Sequence, residues 1–392
     1  MKNIITFILL FTCTVLGLAA VDTTIAPTLT QATEIRAIWV TRGDYRTPED
    51  VQNILRNCAK YNINLVLFQV RGNGTVFYKS KLEPWAKELT GTLGENPGWD
   101  PLQMAVDEAH QQGIQLHAWL NTMPGWRSEV DPPESVPQLW NTHRDWFMKD
   151  STGAFMIPTG KNKGWYRFLS PGIPEVQDYL ANVYAEVVQN YNVDGIHMDY
   201  IRHPGEIGDY SYDSVSLARF AEKYKATPWE QPDQWAQFRR DNIAAVVRKV
   251  YTKAKSINPN ILVTAAVVGE AVGPRNRHFT SSKDWFKEGT LDISMSMGYT
   301  ADTVKFKAMN ETHLKNSNGH FVCPGIGVGG TWCTTPELLN EEITIARNLG
   351  AAGVTFFAYH GLFPRHQPNA LAESLVQGAF KEKAVIPPLP KR

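Results

Sequence analysis

The sequence predicts an α/β protein that consists of a single (β/α)8 barrel with long loops after its third and fourth strands. Short, nearly continuous apolar runs alternate with amphipathic helical patterns along most of the chain, and that alternation is typical of a parallel sheet covered by helices. Barrels of this class often reach the present length, 392 residues, as one domain. The first run leads into Thr41-Arg42-Gly43-Asp44 rather than a Gly-x-Gly-x-x-Gly turn, which argues against a dinucleotide-binding sheet.

Eight stretches have the length and apolar content of buried strands. They are 35–41, 64–70, 114–120, 194–199, 261–268, 291–297, 321–328 and 353–359. Because no second run of strands follows, the pattern favours a closed TIM-type barrel over an open, doubly wound sheet. The connections 121–173 and 200–233 are long for this fold, and in a barrel they lie on the face that carries the active site.

The helices between the strands carry recognisable start signals. Thr47-Pro48-Glu49-Asp50 supplies an N-cap residue, a proline for the first turn and two acidic groups, all of which favour a helix N-terminus. The apolar residues that follow recur on one helical face. Further helices are expected to begin at Asp100-Pro101, at Pro174, at Trp235 (running to Lys255) and at Thr335-Pro336.

Both ends of the chain are expected to lie outside the barrel. Residues 1–19 begin with Lys2 and continue as an apolar run with small residues at Gly17 and Ala19, which is the pattern of a secretory signal peptide and is too short to span a membrane comfortably. Cys13 lies in a poor context for lipid attachment, so we expect a secreted or periplasmic protein rather than a lipoprotein. The predicted segments are a signal peptide (1–19), a flexible lead-in (20–33), the barrel (34–382) and a C-terminal tail (383–392).

The composition narrows the class of partner. Lysine plus arginine and aspartate plus glutamate both number 39, so no net charge directs the chain to nucleic acid or to an anionic membrane. No stretch after the signal predicts stable membrane insertion. The 12 tryptophans and 14 tyrosines fit either a carbohydrate partner, since aromatic faces stack on sugar rings, or ordinary core packing. No cofactor is expected, and the oligomeric state stays open.

Three cysteines remain after the signal, and they lack the paired spacing of a zinc site. Cys58 falls on an apolar helical face and is expected to be a buried thiol. Cys323 and Cys333 flank a glycine-rich loop, where an oxidising compartment would permit a disulfide.

The strongest local signal for catalysis is Asp194-Gly-Ile-His-Met-Asp199, the predicted fourth strand. The carboxyl end of a barrel strand opens into the active-site face, whereas its amino end lies at the bottom. Asp199 is therefore the catalytic candidate, and Asp194 is a structural residue at the strand start. The alternative for Asp199 is a structural carboxylate paired with Arg202. His197 lies two residues before Asp199, so both side chains point to the same side of the strand. His197 is either a substrate contact or a hydrogen-bonded core histidine.

Glycoside hydrolysis usually requires two carboxyl groups that flank the scissile bond. Glu270 follows the predicted fifth strand and would lie beside Asp199 on the same face, so we expect it to act as the acid/base. The alternative is a solvated loop glutamate near Arg275 and Arg277. Other acids that could take the second role are Asp44, Glu206 and Asp209.

Polar and aromatic residues at the strand ends are candidate substrate-binding residues, because sugar hydroxyls need hydrogen bonds and sugar faces need apolar contact. They are Gln69, Arg71, His117, Trp119, Asn121, His197, Arg202, Tyr299, Tyr359 and His360. A metal site is not expected, because metal-dependent barrel hydrolases usually place His-x-His at the end of strand one, and 35–41 contains no histidine. The remaining metal hypothesis involves His197, Asp199 and His203.

A series of longer motifs runs in order from about residue 34 to about residue 366. They are Phe68-Gln-Val-Arg71, Phe77-Tyr78-Lys-Ser80, Glu83-Pro84-Trp85, Leu89-Thr90-Gly91, Pro97-Gly98-Trp99-Asp100-Pro101, Glu108-Ala109-His110, His117-Ala-Trp-Leu-Asn121, Ser170-Pro-Gly-Ile-Pro-Glu-Val176, Asp194-Gly-Ile-His197 and Phe238-Arg-Arg-Asp-Asn242. Together they resemble the glycosyl hydrolase-like 10 family. Asp199 and Arg71 match family positions. Thr75 and Tyr200 stand where many members carry acids, and many members lack a counterpart of Glu270.

The resemblance implies a TIM barrel related to bacterial cell-envelope glycosidases. It further implies polysaccharide hydrolysis outside the cytoplasm, with peptidoglycan glycan strands or a similar N-acetylated glycan as the substrate. The competing hypothesis is a carbohydrate-binding barrel that has lost catalysis. That alternative predicts no turnover by the wild-type protein and unchanged sugar binding in Asp199→Asn.

Overall fold

Eight parallel strands form a closed barrel in the computed structural model, which describes residues 32–205, 207–269 and 277–390. The strands are β1 (Ile35–Val40), β2 (Leu65–Arg71), β3 (Gln115–Asn121), β4 (Gly195–Asp199), β5 (Leu262–Val268), β6 (Ile293–Met297), β7 (Phe321–Gly327) and β8 (Gly353–Phe357). Each strand pairs with its neighbours in the chain, and β8 pairs with β1 to close the sheet. The predicted (β/α)8 class is confirmed, and every predicted strand overlaps an observed one.

Helices follow the strands. They are α1 (Pro48–Lys60), α2 (Pro101–Gln111), α3 (Pro174–Asn190), α4 (Ser214–Tyr224), α5 (Pro232–Ile257), α6 (Ser282–Glu288), α7 (Thr303–Lys315), α8 (Pro336–Asn348) and α9 (Ala370–Gln377). Thr47 begins α1 with a capping box, in which its side chain accepts from the Asp50 N–H and the Asp50 carboxylate accepts from the Thr47 N–H. The predicted starts of α1, α2, α3 and α8 are confirmed, and the helix expected from Trp235 begins three residues earlier, at Pro232.

The strands consist of nearly continuous apolar residues because both faces of the sheet are buried, one under the helices and one inside the barrel. In β1, Ile38 and Val40 join the core that the helices cover, whereas Ala37 and Trp39 belong to a separate core cluster of alternate strand residues. Close packing also explains Gly195 at the start of β4, where a Cβ atom would lie 2.5 Å from the ring of His117. Trp39 is the last residue of β1 that belongs to this second cluster, so its ring lies at the carboxyl end of the strand.

The two ends of the described chain meet in a short sheet, which corrects the expected lead-in and tail. Ala32–Thr33 pairs in parallel with Ala384–Val385, and the Glu34 N–H donates to the Val385 carbonyl at 2.9 Å. Strands of two residues carry no apolar period, so the sequence pattern does not reveal them. The predicted signal peptide lies outside the described residues, as does the lead-in before residue 32.

The long connection 121–173 contains a short antiparallel ribbon, Pro124–Trp126 with Arg167–Phe168, and 200–233 contains α4. The three cysteines that the structure describes are buried and free, so Cys323 and Cys333 do not form a disulfide. Within the described ranges, no helix combines the length and hydropathy that crossing a bilayer requires.

Candidate active site

A cup of about 460 Å³ opens at the carboxyl ends of the strands. Residues at or near the strand ends line it from β1 to β6 and from β8, namely Trp39, Gln69, Trp119, Asn121, Asp199, Ala266, Met297 and Phe357. Loop residues complete the wall, namely Thr41, Arg42, Gly43, Arg46, Glu88, Arg127, Tyr166, Tyr200, Arg202 and Tyr299. Of the predicted substrate-binding residues, Gln69, Trp119, Asn121, Arg202 and Tyr299 therefore come together in one cavity.

Asp199 lies in the wall of this cup with 6% of its surface exposed. Its Oδ1 atom accepts hydrogen bonds from the Tyr200 N–H at 2.5 Å and from Arg202 Nη1 at 3.1 Å. Tyr200 adopts a left-handed conformation, with φ 51°, directly after the strand. Oδ2 receives no hydrogen bond from the part of the chain that the structure describes. The pairing with Arg202 that the alternative hypothesis predicted is thus present, but it fixes one carboxylate oxygen and leaves the other available to a ligand.

The cup contains a second described carboxylate, Glu88, which sequence reasoning missed. Its side chain is 34% exposed, and its Oε1 lies 3.9 Å from Arg42 Nε. Arg42 also donates to the Tyr166 hydroxyl at 3.1 Å. A side chain at Gly72 would collide with this guanidinium, because a Cβ there would lie 2.6 Å from Arg42 Nη1. Glu88 lies 17 positions beyond the end of β2, so no strand-end argument could have found it.

An aromatic cluster forms one side of the cup. Tyr299 stacks on Phe357 with ring centroids 4.9 Å apart, and Trp39 meets both rings edge-on at 6.2 and 5.8 Å. Burial raises the pKa of the Tyr299 hydroxyl, so the phenol stays neutral. The Trp119 indole N–H, also at the cup, is buried and has no partner in the described chain.

The structure corrects the prediction that His197 and His117 contact substrate, since both rings are fully buried and neither lines the cup. His197 Nε2 accepts from the Trp39 indole N–H at 3.0 Å, which leaves its Nδ1–H to donate to Thr264 Oγ1 at 2.9 Å. Burial lowers the pKa of His197 and lowers that of His117 to about 4, so both imidazoles are neutral near pH 7. His197 is therefore a core histidine that orients Trp39.

Arg71 is also wrong as a substrate contact, because its side chain is fully buried. Its Nε and Nη2 atoms donate to the two carboxylate oxygens of Glu83 at 2.8 and 2.6 Å. Nη1 donates to the carbonyls of Asn121, Thr122 and Pro124 beyond β3. Arg71 thereby ties the loop after β2 to the chain that leaves β3, and both segments carry residues of the cup wall.

Tyr359 and His360 lie beside the cup and do not line it. The Tyr359 hydroxyl accepts from Asn57 at 2.9 Å, while the His360 ring, 63% exposed, contacts Asp44 at 3.1 Å. Both residues face a neighbouring cavity, because the chain turns outward at the end of β8.

The other predicted acids are placed as follows. The Asp44 side chain is 5% exposed and contacts Thr41 and His360, and Asp209 pairs with Arg239 and does not line the cup. Glu206 and Glu270 lie outside the described residues. Asp194 accepts from the Leu116 N–H at 2.8 Å at the start of β4, as expected of a structural residue. Among the described side chains, no three of His, Cys, Asp or Glu are grouped to hold a metal ion.

Comparison with known proteins shows to which family the chain belongs. It is 31% identical to "Glycosyl hydrolase DigH" of Escherichia coli (strain K12) over 261 residues, which cover 61% of this chain and 55% of that protein, about half of that relative's length. It is 25% identical to "Glycosyl hydrolase YngK" of Bacillus subtilis (strain 168), over 91% of this chain and 74% of that one. The glycoside hydrolase domain of PgaB (BpsB) from Bordetella bronchiseptica has the same fold, with a TM-score of 0.66 at 12% identity over 88% of this chain and 99% of that chain. The model of the family described as Glycosyl hydrolase-like 10 matches residues 34–319, and the chain therefore belongs to the glycosyl hydrolase-like 10 family.

Proposed function

We propose that this protein is a secreted or cell-envelope glycoside hydrolase that cleaves a polysaccharide, with peptidoglycan glycan strands or a similar N-acetylated glycan as the substrate. The observation that carries the proposal is the Asp199 carboxylate, held by two hydrogen bonds in a cup of aromatic and polar side chains. Membership of the family supports the reaction class. The choice of glycan and the location outside the cytoplasm rest on the family resemblance and on the signal-like pattern of residues 1–19.

The cup suits a sugar in size and in chemistry. Its volume of about 460 Å³ lies within the range of about 300 to 1,000 Å³ that small-ligand sites occupy. Trp39 and Tyr299 offer apolar surface, while the exposed Arg127 in the cup wall can donate to a sugar oxygen. Asn121 is fixed between Gln69 and the Gly72 carbonyl, so the polar wall is organised before substrate arrives.

Hydrolysis in this cup needs two carboxyl groups. Asp199 acts through Oδ2 as the nucleophile or as the base that activates water. A second carboxyl group gives a proton to the leaving oxygen as the bond from that oxygen to the anomeric carbon breaks, and water supplies the new hydroxyl. Glu88 is the candidate acid among the described residues of the cup, and Glu270 remains the candidate from the sequence. A carboxyl separation of about 5 Å predicts retention, and a larger one predicts inversion.

The test of the proposal is a reducing-end assay on purified glycan strands. Asp199→Asn removes the negative charge at nearly constant shape, and we expect it to lower the rate by at least about a hundredfold while the protein stays folded. Asp178→Asn is the matched control, because Asp178 is 66% exposed in a pair with Lys249 on the helical surface. A wild-type rate in Asp199→Asn would overturn the assignment.

The same assay separates the two candidate acids and the non-catalytic alternative. Only the substitution of the true acid, in Glu88→Gln or in Glu270→Gln, should cause a large loss of rate that is smaller on an aryl glycoside, whose leaving oxygen needs no proton from the enzyme. A carbohydrate-binding barrel without catalysis would instead release no reducing ends as the wild type and would bind glycan equally well as Asp199→Asn.

A further inference from the structure

A second cavity of about 310 Å³ lies beside the cup, between the loops that follow β1 and β8. Its lining includes Gly43, Asp44, Arg46, His360, Arg365 and His366. Gly43 and Arg46 line both this cavity and the cup. A ligand that extends out of the cup over these two residues therefore enters the second cavity.

The polar groups on the β1 side of the second cavity are held in place. Asp44 Oδ2 accepts from the Thr41 N–H at 2.7 Å and from the Thr41 hydroxyl at 2.9 Å. Asp44 Oδ1 then fixes His360 Nδ1 at 3.1 Å. Because Nδ1 carries its proton toward the carboxylate, Nε2 of this largely exposed ring is presented for hydrogen bonding, and no described residue occupies it.

The β8 side of the second cavity is equally organised. His366 bridges Asp50 Oδ1 at 3.0 Å and the Tyr359 hydroxyl at 3.1 Å, while Asn57 donates to the His366 carbonyl at 2.9 Å. Arg365 and His366 have φ values of 53° and 62°. Two consecutive non-glycine residues in the left-handed region are unfavourable, and such strain concentrates at functional sites.

The side chains of the second cavity offer both hydrogen-bond donors and acceptors, which a ligand with many hydroxyl groups requires. Arg46 and Arg365 are exposed and have no carboxylate partner within the described ranges. The His and Asp side chains around them are not grouped as metal ligands in the described chain. Donors and acceptors are therefore both present in a cavity of the size of a small-ligand site, and this cavity continues a cup suited to sugars.

We propose that this second cavity is a sugar subsite, a proposal that rests on the proposed function of the cup. The glycan lies with its scissile bond at Asp199, crosses the rim at Arg46, and places a further sugar unit between His360 and Arg365. The protein accordingly prefers oligosaccharides that are long enough to fill both cavities.

The experiment measures calorimetric binding of β-1,4-linked N-acetylglucosamine oligosaccharides, from two to six units, to the Asp199→Asn protein. In that background, His360→Ala and Arg365→Gly each remove one side chain from the second cavity. Glycine accepts the left-handed conformation of position 365 without strain, so Arg365→Gly retains the fold. Arg248→Ala, in an exposed pair with Glu288 on the helical surface, is the matched control.

We expect affinity to rise as units are added until both cavities are filled. Each subsite variant should weaken the longest oligosaccharide by about tenfold and leave the shortest within about twofold, while Arg248→Ala changes neither. Equal weakening at every length, or no weakening at any length, would overturn the subsite and leave the function of the cup intact. Absence of binding at every length to both the Asp199→Asn and the wild-type protein would overturn the proposed function and the subsite together.

Discussion

The buried pair of Arg71 and Glu83 gives the sharpest quantitative prediction. Both side chains have 0% exposure, so Glu83→Gln leaves a guanidinium in the interior without a counter-charge. Breaking a buried ion pair in this way costs about 3 to 5 kcal/mol of folding free energy. With an unfolding entropy of about 2.1 cal/mol/K per residue, a barrel of about 350 residues should lose about 4 to 7 °C in Tm.

The measurement is urea unfolding followed by tryptophan fluorescence, together with calorimetric Tm. Glu288→Gln is the matched control, because its pair with Arg248, at 2.7 Å, is nearly as short as the 2.6 Å pair of Arg71 and Glu83 but is 37 to 50% exposed. Exposed pairs contribute less than about 1 kcal/mol. If Glu83→Gln and Glu288→Gln destabilise the protein equally, the reasoning from burial is refuted.

Arg71→Lys separates the structural role from the substrate-binding role that the sequence suggested. Lysine retains the charge but cannot make the two parallel bonds to Glu83 and the additional bonds to three carbonyls. The structure therefore predicts a loss of stability for Arg71→Lys. A raised KM with unchanged unfolding free energy would show instead that Arg71 contacts substrate.

Two further predictions concern single buried groups. Trp39→Phe removes the indole N–H that His197 accepts, and we expect kcat/KM on glycan strands to fall about tenfold; an unchanged value would contradict the role of this ring. Glu342 is 1% exposed, its carboxyl oxygens lack described partners, and burial raises its pKa to about 8. Because the folded-state pKa lies above the unfolded value, its stability contribution is complete below about pH 4.5 and is lost as pH rises through 8. Glu342→Met should therefore exceed the wild type in unfolding free energy most above pH 8, and an equal difference at pH 5 and pH 9 would contradict this.

Strand order, strand polarity and the position of Asp199 could be predicted because they depend on local patterns. A run of apolar residues with turn signals on both sides defines a buried strand, and the carboxyl end of such a strand in a barrel faces the site. Asp199, Trp119, Asn121 and Tyr299 follow from that rule, and all four line the cup.

Depth and direction within the barrel could not be predicted in the same way. His117 and His197 have the parity of inward residues, yet they lie below the cup and hydrogen-bond Thr264 inside the barrel. The position of a residue in the alternation along a strand gives the side of the sheet to which its side chain points. How deep the cavity reaches into the barrel depends instead on how large rings such as Trp39 fill the carboxyl end of the barrel. Tyr359 and His360 fail for a related reason, since they follow the last residue of β8 and turn outward.

The sequence by itself determined that strands alternate with helices in the pattern of a barrel and that an acidic residue ends the fourth strand, because local patterns of apolar and turn residues encode these features. Only the tertiary structure decided that Glu88 and Arg42 reach the same cup as Asp199, and that Arg71 is buried against Glu83. The physical reason is that loops from separate strands converge at the barrel mouth. Their contacts depend on packing between distant segments, and no local periodicity encodes them.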